Sequence, residues 1–275
     1  MGLFEALWIF IILSSLLPVT KKKMLEAARR KLISQIEKEQ GSRVIMLIHR
    51  QETMSLFGFP FYRYIDINDS EEVIRAIHLT DPEVPLDLIL HTPGGLVLAA
   101  LQIARAIKKH PGKVTVYVPH YAMSGGTLIA LAADEIVMDE HAALGPVDPQ
   151  IEGLPAASLL KLVRHKPVSE ISDRAMILAD VAEKAIQQVK QGVFNLLVDN
   201  YGEEQAARIG GLLAEGYWTH DYPLTYEEIK AMGLNVRNEL PVAIYKLMNL
   251  FPQPLRQQRS VTYLPERREK PEKND

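Results

Sequence analysis

Two short glycine-containing segments of this chain carry residues that could perform acyl-transfer chemistry. The first is His91-Thr92-Pro93-Gly94-Gly95 and the second is Ala122-Met123-Ser124-Gly125-Gly126; each lies between an apolar run and an Ala-rich stretch. A backbone that turns from strand to helix on glycines exposes N–H groups at the helix start, where negative charge is favoured. Two such turns that face each other could hold an acyl oxyanion beside a serine nucleophile. The pattern predicts acyl transfer, and peptide hydrolysis in particular.

Alternating strands and helices must position these turns. Apolar runs predict strands at residues 44–49, 86–90, 113–118, 135–138 and 142–147, and helical periodicity predicts helices at 95–108, 125–133, 174–201 and 224–232. Asp69 or Ser70 would cap a further helix ending at Leu79, and Thr225 would cap the last one. The alternation predicts an α/β fold of repeated βαβ units with a largely parallel sheet. Ligand sites in such sheets lie beyond the carboxyl ends of the strands, where both glycine turns fall.

The composition narrows the function classes. The 275 residues have a net charge of −3 and include no cysteine. A net negative charge does not favour nucleic acid as a partner. Because the chain has no cysteine, disulfides, thiolate metal sites and a cysteine nucleophile are excluded. No group of His, Asp or Glu has metal-ligand spacing, and no G-x-G-x-x-G motif supports nicotinamide binding. We therefore expect an enzyme without a cofactor or metal.

The N-terminus is apolar enough to contact a membrane. Residues 3–19 are nearly continuously apolar, and Lys21-Lys22-Lys23 follows. We interpret residues 1–20 as an uncleaved transmembrane anchor and residues 21–42 as a juxtamembrane helix. The lysines would keep the catalytic domain, residues 43–255, in the cytoplasm. An interfacial helix and a cleaved signal peptide are the alternatives.

Two other segments stand apart by composition. The aromatic residues of segment 54–64 favour packing, with membrane or subunit contact as the alternative, and residues 256–275 read as a charged, disordered tail.

Several segments together resemble a known family. They are residues 90–95, 118–126, 132–136, 144–150, 214–220 and 231–234. In this order and spacing they resemble the Clp-protease/crotonase superfamily and, within it, the serine dehydrogenase proteinase family, membrane-anchored relatives of signal peptide peptidase A. The resemblance covers residues 44–254 and implies a Clp-protease/crotonase-like fold with serine peptidase activity. It also implies a homo-oligomer.

The resemblance implies roles for individual residues. Ser124 matches the nucleophile, Gly94 and Gly95 match the oxyanion loop, and Gly125 supplies a further N–H. A Clp-type histidine would fall near Gly145-Pro146, where there is none.

The sequence therefore leaves several candidates for the general base. Relatives of signal peptide peptidase A use a lysine, and Lys166 occupies the corresponding stretch; a lysine serves as a base only when burial lowers its pKa. The other candidate bases are Lys161, His141, His165 and His220.

Each of these residues also has a simpler interpretation. Ser124 could merely cap a helix, Gly94-Gly95 could be only a tight turn, and Lys166 could be a solvated surface residue. Asp148 most simply fixes the turn after Pro146, and orienting a catalytic base is the alternative.

At the level of function, the sequence favours a membrane-anchored serine endopeptidase acting on membrane proteins or signal-peptide remnants. A crotonase-type acyl-CoA enzyme and a catalytically silent membrane scaffold are the alternatives.

Overall fold

Strands and helices alternate through the centre of the chain in the computed structural model. It describes residues 3–50 and 63–251, with side chains from residue 20 onward. The strands are β1 (Arg43–Ile48), β2 (Leu86–His91), β3 (Val114–Val118), β4 (Tyr121–Ala122), β5 (Glu135–Met138), β6 (Ala143–Leu144), β7 (Gln150–Ile151), β8 (Leu154–Pro155) and β9 (Val236–Arg237). The helices are α1 (Leu3–Gln40), α2 (Ile67–His78), α3 (Val97–Lys108), α4 (Gly125–Leu131), α5 (Ala156–His165), α6 (Asp173–Tyr201), α7 (Glu203–Ala214), α8 (Tyr226–Ala231) and α9 (Val242–Asn249).

A parallel sheet forms the centre of the fold. Within the described residues its strand order is β1-β2-β3-β5-β9, and every neighbouring pair is parallel. Helices connect β1 to β2, β2 to β3 and β3 to β5, as parallel pairing requires. The predicted α/β class with a parallel sheet is therefore confirmed. The carboxyl ends of β2 and β3 lead into the two glycine turns.

Both faces of the sheet are buried. Leu88 and Leu90 of β2 face the larger core, which contains residues of α2, α3, α6 and α7. Ile89 points the other way and packs with residues of α1 and α9. This division follows from the two-residue alternation of side chains in a strand. It also explains why β2 reads as a continuous apolar run, as strands buried on both faces do.

The start of α2 differs from the predicted one. Asp66, and not Asp69 or Ser70, is the N-cap: its carboxylate accepts from Asp69 N at 3.0 Å, and Asp69 Oδ2 accepts from Asp66 N at 3.0 Å. The reciprocal pair moves the helix start because it satisfies two backbone donors at once. At α8 the predicted cap, Thr225, is confirmed and forms a similar pair with Glu228.

Helix α1 extends without a break over 38 residues and reaches the sheet, where Ile36 is buried. Among the residues whose side chains are described, no helix is long and apolar enough to cross a bilayer. The predicted anchor contact, residues 3–19, lies outside those residues. Most of the aromatic segment 54–64 and the tail 256–275 also fall outside the described part of the chain.

Candidate active site

Ser124 occupies a sharp turn between β4 and α4. Its φ of 51° and ψ of −115° are unusual for a residue with a side chain, and such a conformation costs about 1–3 kcal/mol. It stands at the N-cap of α4, yet its side chain makes no capping hydrogen bond. In the part of the chain that is described, no hydrogen bond joins its hydroxyl to another residue. The strained turn is therefore not explained by a helix-capping role of the hydroxyl.

The two glycine turns lie directly against each other. Met123 N donates to Thr92 O at 3.0 Å, and Thr92 N donates to Tyr121 O at 3.2 Å. A Cβ placed on Gly94 would come within 2.8 Å of Ser124 Cβ and 2.9 Å of Met123 O, with φ at 107°. Only glycine allows this approach, because a methyl group would collide with the serine turn.

Gly95 and Gly125 present backbone N–H groups in this region. Gly94 O accepts from Ile65 N at 2.7 Å, and a planar trans peptide then points Gly95 N–H the opposite way. Gly95 N lies 3.6 Å from the position that a Cβ on Gly125 would occupy. Across the described residues, neither of these two N–H groups has a hydrogen-bond acceptor. Gly94 N–H, in contrast, donates to Thr92 Oγ1 at 3.1 Å.

A histidine–carboxylate pair is formed by His220 and Asp148. His220 Nδ1 and Asp148 Oδ1 are 2.8 Å apart, and Gln150 Nε2 donates to the other carboxylate oxygen at 2.7 Å. Asp148 is buried, while His220 remains partly exposed. The hydrogen bond to Asp148 raises the pKa of His220 above its usual 6.5, although partial burial opposes the shift. This is the arrangement in which a carboxylate orients a histidine base.

The segments that carry this pair adjoin the segment that carries Ser124. Strands β4 and β6 pair in parallel with Ala122 opposite Leu144, so the next positions are Met123 and Gly145. A Cβ on Gly145 would in fact lie 3.4 Å from Met123 Cα. Leu144 also bridges Leu224, four positions after His220. Ser124, Asp148 and His220 therefore lie on three adjoining segments.

The remaining candidate bases lie on the surface. Lys166, at the end of α5, is exposed, as is Lys161. His165 is exposed, and His141 is an exposed partner of Glu140. In the described residues, no hydrogen bond joins Ser124 to any of these four or to His220; what distinguishes His220 is its buried carboxylate partner, Asp148. Across the same residues no three His, Cys, Asp or Glu side chains could hold a metal ion.

A cavity is lined by residues of the first glycine turn and of the start of α2. Its volume is about 640 Å³, and its lining includes His49, Ile65, Asp69, Gly95 and Leu96. Gly95 lines this cavity, and its nitrogen also lies near Gly125 of the serine turn. The cavity could receive part of a bound polypeptide.

Residues that hold the loop were not foreseen from the sequence. His49 Nδ1 lies 2.9 Å from Thr92 Oγ1, and His49 Nε2 lies 3.2 Å from Asp69 Oδ2. Their contact could have been predicted from the sequence, because His49 and Thr92 each come directly after one of two neighbouring parallel strands. The register Ile48↔His91 sets the two residues side by side.

Comparisons with known proteins show which family the chain belongs to. A sequence model of the family described as "ClpP-like SDH-type serine proteinase" matches residues 1–275. Two proteins of Methanocaldococcus jannaschii, the uncharacterized proteins MJ0137 and MJ1495, are 52% and 49% identical to this chain over 258 residues. Those alignments cover 94% of this chain and 90% and 88% of the relatives.

Among solved structures, the chain is similar to a mutant form of the 1510-N membrane-bound stomatin-specific protease. The identity is 20% and the TM-score 0.44, over 68% of this chain and 79% of that one. The family match, in contrast, spans the whole sequence and includes both glycine turns. This chain belongs to the family of ClpP-like SDH-type serine proteinases.

Proposed function

We propose that this chain is a serine endopeptidase that cleaves polypeptides through an acyl-enzyme on Ser124. The observation that carries the proposal is the conformation of Ser124. Among residues 20–50 and 63–251, its hydroxyl forms no hydrogen bond and the N–H groups of Gly95 and Gly125 have no acceptor, and Ser124 lies in a strained turn against Gly94. Those two N–H groups would bind the oxyanion that forms when the serine attacks a carbonyl. Gly94 would contribute by lacking a side chain, since its own N–H is occupied.

His220 is the general base in this proposal, and Asp148 orients it. Asp148 accepts a hydrogen bond from the protonated Nδ1 of His220, which leaves Nε2 as the basic nitrogen. Nε2 would take the Ser124 hydroxyl proton as Oγ bonds to the substrate carbonyl carbon, and would return it to the leaving amine as the C–N bond breaks. A water molecule, deprotonated by the same nitrogen, would then hydrolyse the ester and restore the Ser124 hydroxyl.

Lys166 remains the alternative base. Its exposure in the single chain does not provide the burial that a neutral lysine needs. A dyad of Ser124 and Lys166 would require the segment after α5 to be covered, for example by a second subunit. The proposed homo-oligomer gives this alternative a physical route, so the experiment includes both bases.

The substrate and the location follow from the N-terminal sequence. An anchor at residues 3–19, with Lys21-Lys22-Lys23 on the cytoplasmic side, would hold the active site near the inner membrane surface. Anchoring raises the local concentration of membrane-bound substrates. We therefore propose extended segments of membrane proteins, or signal-peptide remnants, as substrates.

The experiment uses the full chain purified in detergent and a fluorophosphonate probe, which forms a covalent bond with an activated serine and releases fluoride. Ser124→Ala should abolish labelling, and His220→Ala should slow it by about 10³-fold or more. Lys166→Ala is the matched comparison and should label at the wild-type rate.

Two outcomes would contradict the proposal. Undiminished labelling of Ser124→Ala would remove Ser124 as the nucleophile. Slow labelling of Lys166→Ala with normal labelling of His220→Ala would transfer the role of base to Lys166. Circular dichroism of each variant would establish that the fold is retained.

A further inference from the structure

We propose that Thr92, His49 and Asp69 are positioning residues that fix the oxyanion loop; this inference rests on the function proposed for Ser124. Both Thr92 and His49 are buried, and Thr92 is completely inaccessible to solvent. Thr92 Oγ1 lies 2.9 Å from His49 Nδ1 and 3.1 Å from Gly94 N. The three side chains thus connect the loop to the start of α2.

The donors and acceptors along this connection can be assigned from Asp69. Asp69 Oδ2 can only accept, so His49 carries its proton on Nε2 and donates it across 3.2 Å. The Thr92 hydroxyl then has two acceptors in range, His49 Nδ1 at 2.9 Å and the more distant Gly94 O at 3.4 Å, and its oxygen accepts Gly94 N–H. Burial alone would raise the pKa of Asp69, but the hydrogen bonds from His49 and Asp66 N outweigh it and lower that pKa. Asp69 is therefore the ionised end of the connection.

These contacts close a ring around the Gly94-Gly95 peptide. Asp69 Oδ2 also accepts from Asp66 N, and the neighbouring Ile65 N donates to Gly94 O at 2.7 Å. Gly94 is thus held at its nitrogen through Thr92 and at its oxygen through Ile65. Two consecutive glycines have no side chains to restrict their backbone, so these hydrogen bonds determine where Gly95 N–H points.

A second catalytic triad is not consistent with this geometry. The residue types would suit one, since a hydroxyl, a histidine and a carboxylate stand in line. The Thr92 hydroxyl, however, has no solvent exposure and its oxygen already accepts Gly94 N–H. No substrate carbonyl can reach it, so the three residues can act only through the loop.

The test compares Thr92→Val with Thr92→Ser in the full chain, using the fluorophosphonate probe. Valine keeps the shape of threonine but removes the oxygen, while serine keeps the oxygen. Thr92→Val should lower the maximal rate of inactivation by about 10- to 100-fold, because a loosened donor no longer stabilises the transition state. The probe concentration giving half-maximal rate should change by less than about threefold, and Thr92→Ser should restore most of the rate.

The outcomes separate this inference from the proposed function. Loss of labelling in Ser124→Ala together with a wild-type rate in Thr92→Val would overturn only the positioning role. An equal loss of rate in Thr92→Ser and Thr92→Val would show that the effect comes from packing, and it would also overturn the positioning role. Should Thr92→Val fail to fold, His49→Leu removes the nearer acceptor of the Thr92 hydroxyl. It should reproduce the slower maximal rate, and an unchanged rate would contradict the inference.

Discussion

His220 and Asp148 are 72 positions apart in the chain, yet a 2.8 Å hydrogen bond joins His220 Nδ1 to Asp148 Oδ1. The carboxylate is almost fully buried and the histidine is partly exposed, so the ring can face a substrate while the carboxylate holds it from behind. Leu144 pairs with Ala122 and bridges Leu224, so the segments that carry this pair adjoin the segment that carries Ser124. The effect of Asp148 on the pKa of His220 can be measured.

The first prediction concerns the pH dependence of labelling by the fluorophosphonate probe. The hydrogen bond that His220 donates to Asp148 raises the pKa of His220 above 6.5, and only neutral His220 can accept a proton. The labelling rate should therefore rise with pH through a midpoint above 6.5. Asp148→Asn should move this midpoint to lower pH and reduce the plateau rate by a large factor, because the ring loses its orientation. Lys166→Ala should leave the pH midpoint unchanged. If Asp148→Asn also left it unchanged, the result would contradict the role of His220 as the general base.

The second prediction concerns the strain at Ser124. Glycine adopts a φ of 51° and a ψ of −115° readily, whereas alanine bears the same strain as serine. Ser124→Gly should therefore be more stable than Ser124→Ala by about 1 kcal/mol, after the extra freedom that glycine gives the unfolded chain is counted. Urea denaturation of the two inactive variants measures the difference. Equal stabilities would mean that the turn is not strained.

The third prediction concerns Gly95. A Cβ at this position would lie 2.3 Å from both Ile65 N and Ile65 O, so the Ile65 segment would have to move. Gly95→Ala should reduce the free energy of unfolding by more than about 3 kcal/mol and abolish labelling. Gly153→Ala is the matched control: its φ is +79°, but a Cβ there meets nothing within 4 Å, so it should cost about 1–2 kcal/mol. Thermal unfolding experiments measure both variants. If Gly95→Ala and Gly153→Ala lost similar amounts of stability, the predicted collision with Ile65 would be contradicted.

The fourth prediction concerns the buried His91. Neither ring nitrogen has a hydrogen-bond partner in the described structure, and burial, Arg50 and two other histidines lower its pKa to about 3. The unfolded chain binds a proton near pH 6.5, so the stability from neutral His91 is complete above that pH and is lost as the pH falls towards 3. Between pH 7 and pH 5 the loss should be about 2 kcal/mol.

His91→Leu provides the control for this prediction. The variant should lose about 2 kcal/mol less than the wild type over the same pH interval, as measured by urea denaturation. Comparing the two chains is necessary because His120, whose pKa burial also lowers, acts in the same direction. Parallel pH profiles for the two chains would show that His91 is not the group responsible.

The sequence was sufficient to predict local features. The apolar run of β2, the turn at Ser124 and the capping threonine at α8 each depend on a few consecutive residues. The start of α2 was placed too late because Asp66 and Asp69 are both suitable caps, and only the reciprocal bond selects Asp66. Helix α7 was not predicted, although Gly202 separates it from α6.

Contacts distant in sequence could not be predicted in the same way. Asp148 and His220 were both named as candidates, but no spacing rule joins a turn after β6 to the loop before α8. The prediction of Lys166 used its distance from Ser124 along the chain, which says nothing about its exposure. His49 and Thr92 were accessible to reasoning in principle, because they follow adjacent parallel strands.

Helix α1 has a geometric consequence for access to the active site. Arg29 of this helix donates to Leu250 O at 2.7 Å, which attaches the helix to the catalytic body. The rise from Lys21 to Arg29 is about 12 Å at 1.5 Å per residue. If residues 3–19 are embedded as proposed and α1 is perpendicular to the membrane, the helix would act as a spacer that holds Arg29 about 12 Å above the bilayer. An extended chain advances about 3.3 Å per residue, so at least about four residues must leave the membrane to reach the body. Flexible tails and loops meet this length requirement, whereas segments lying flat on the membrane surface do not.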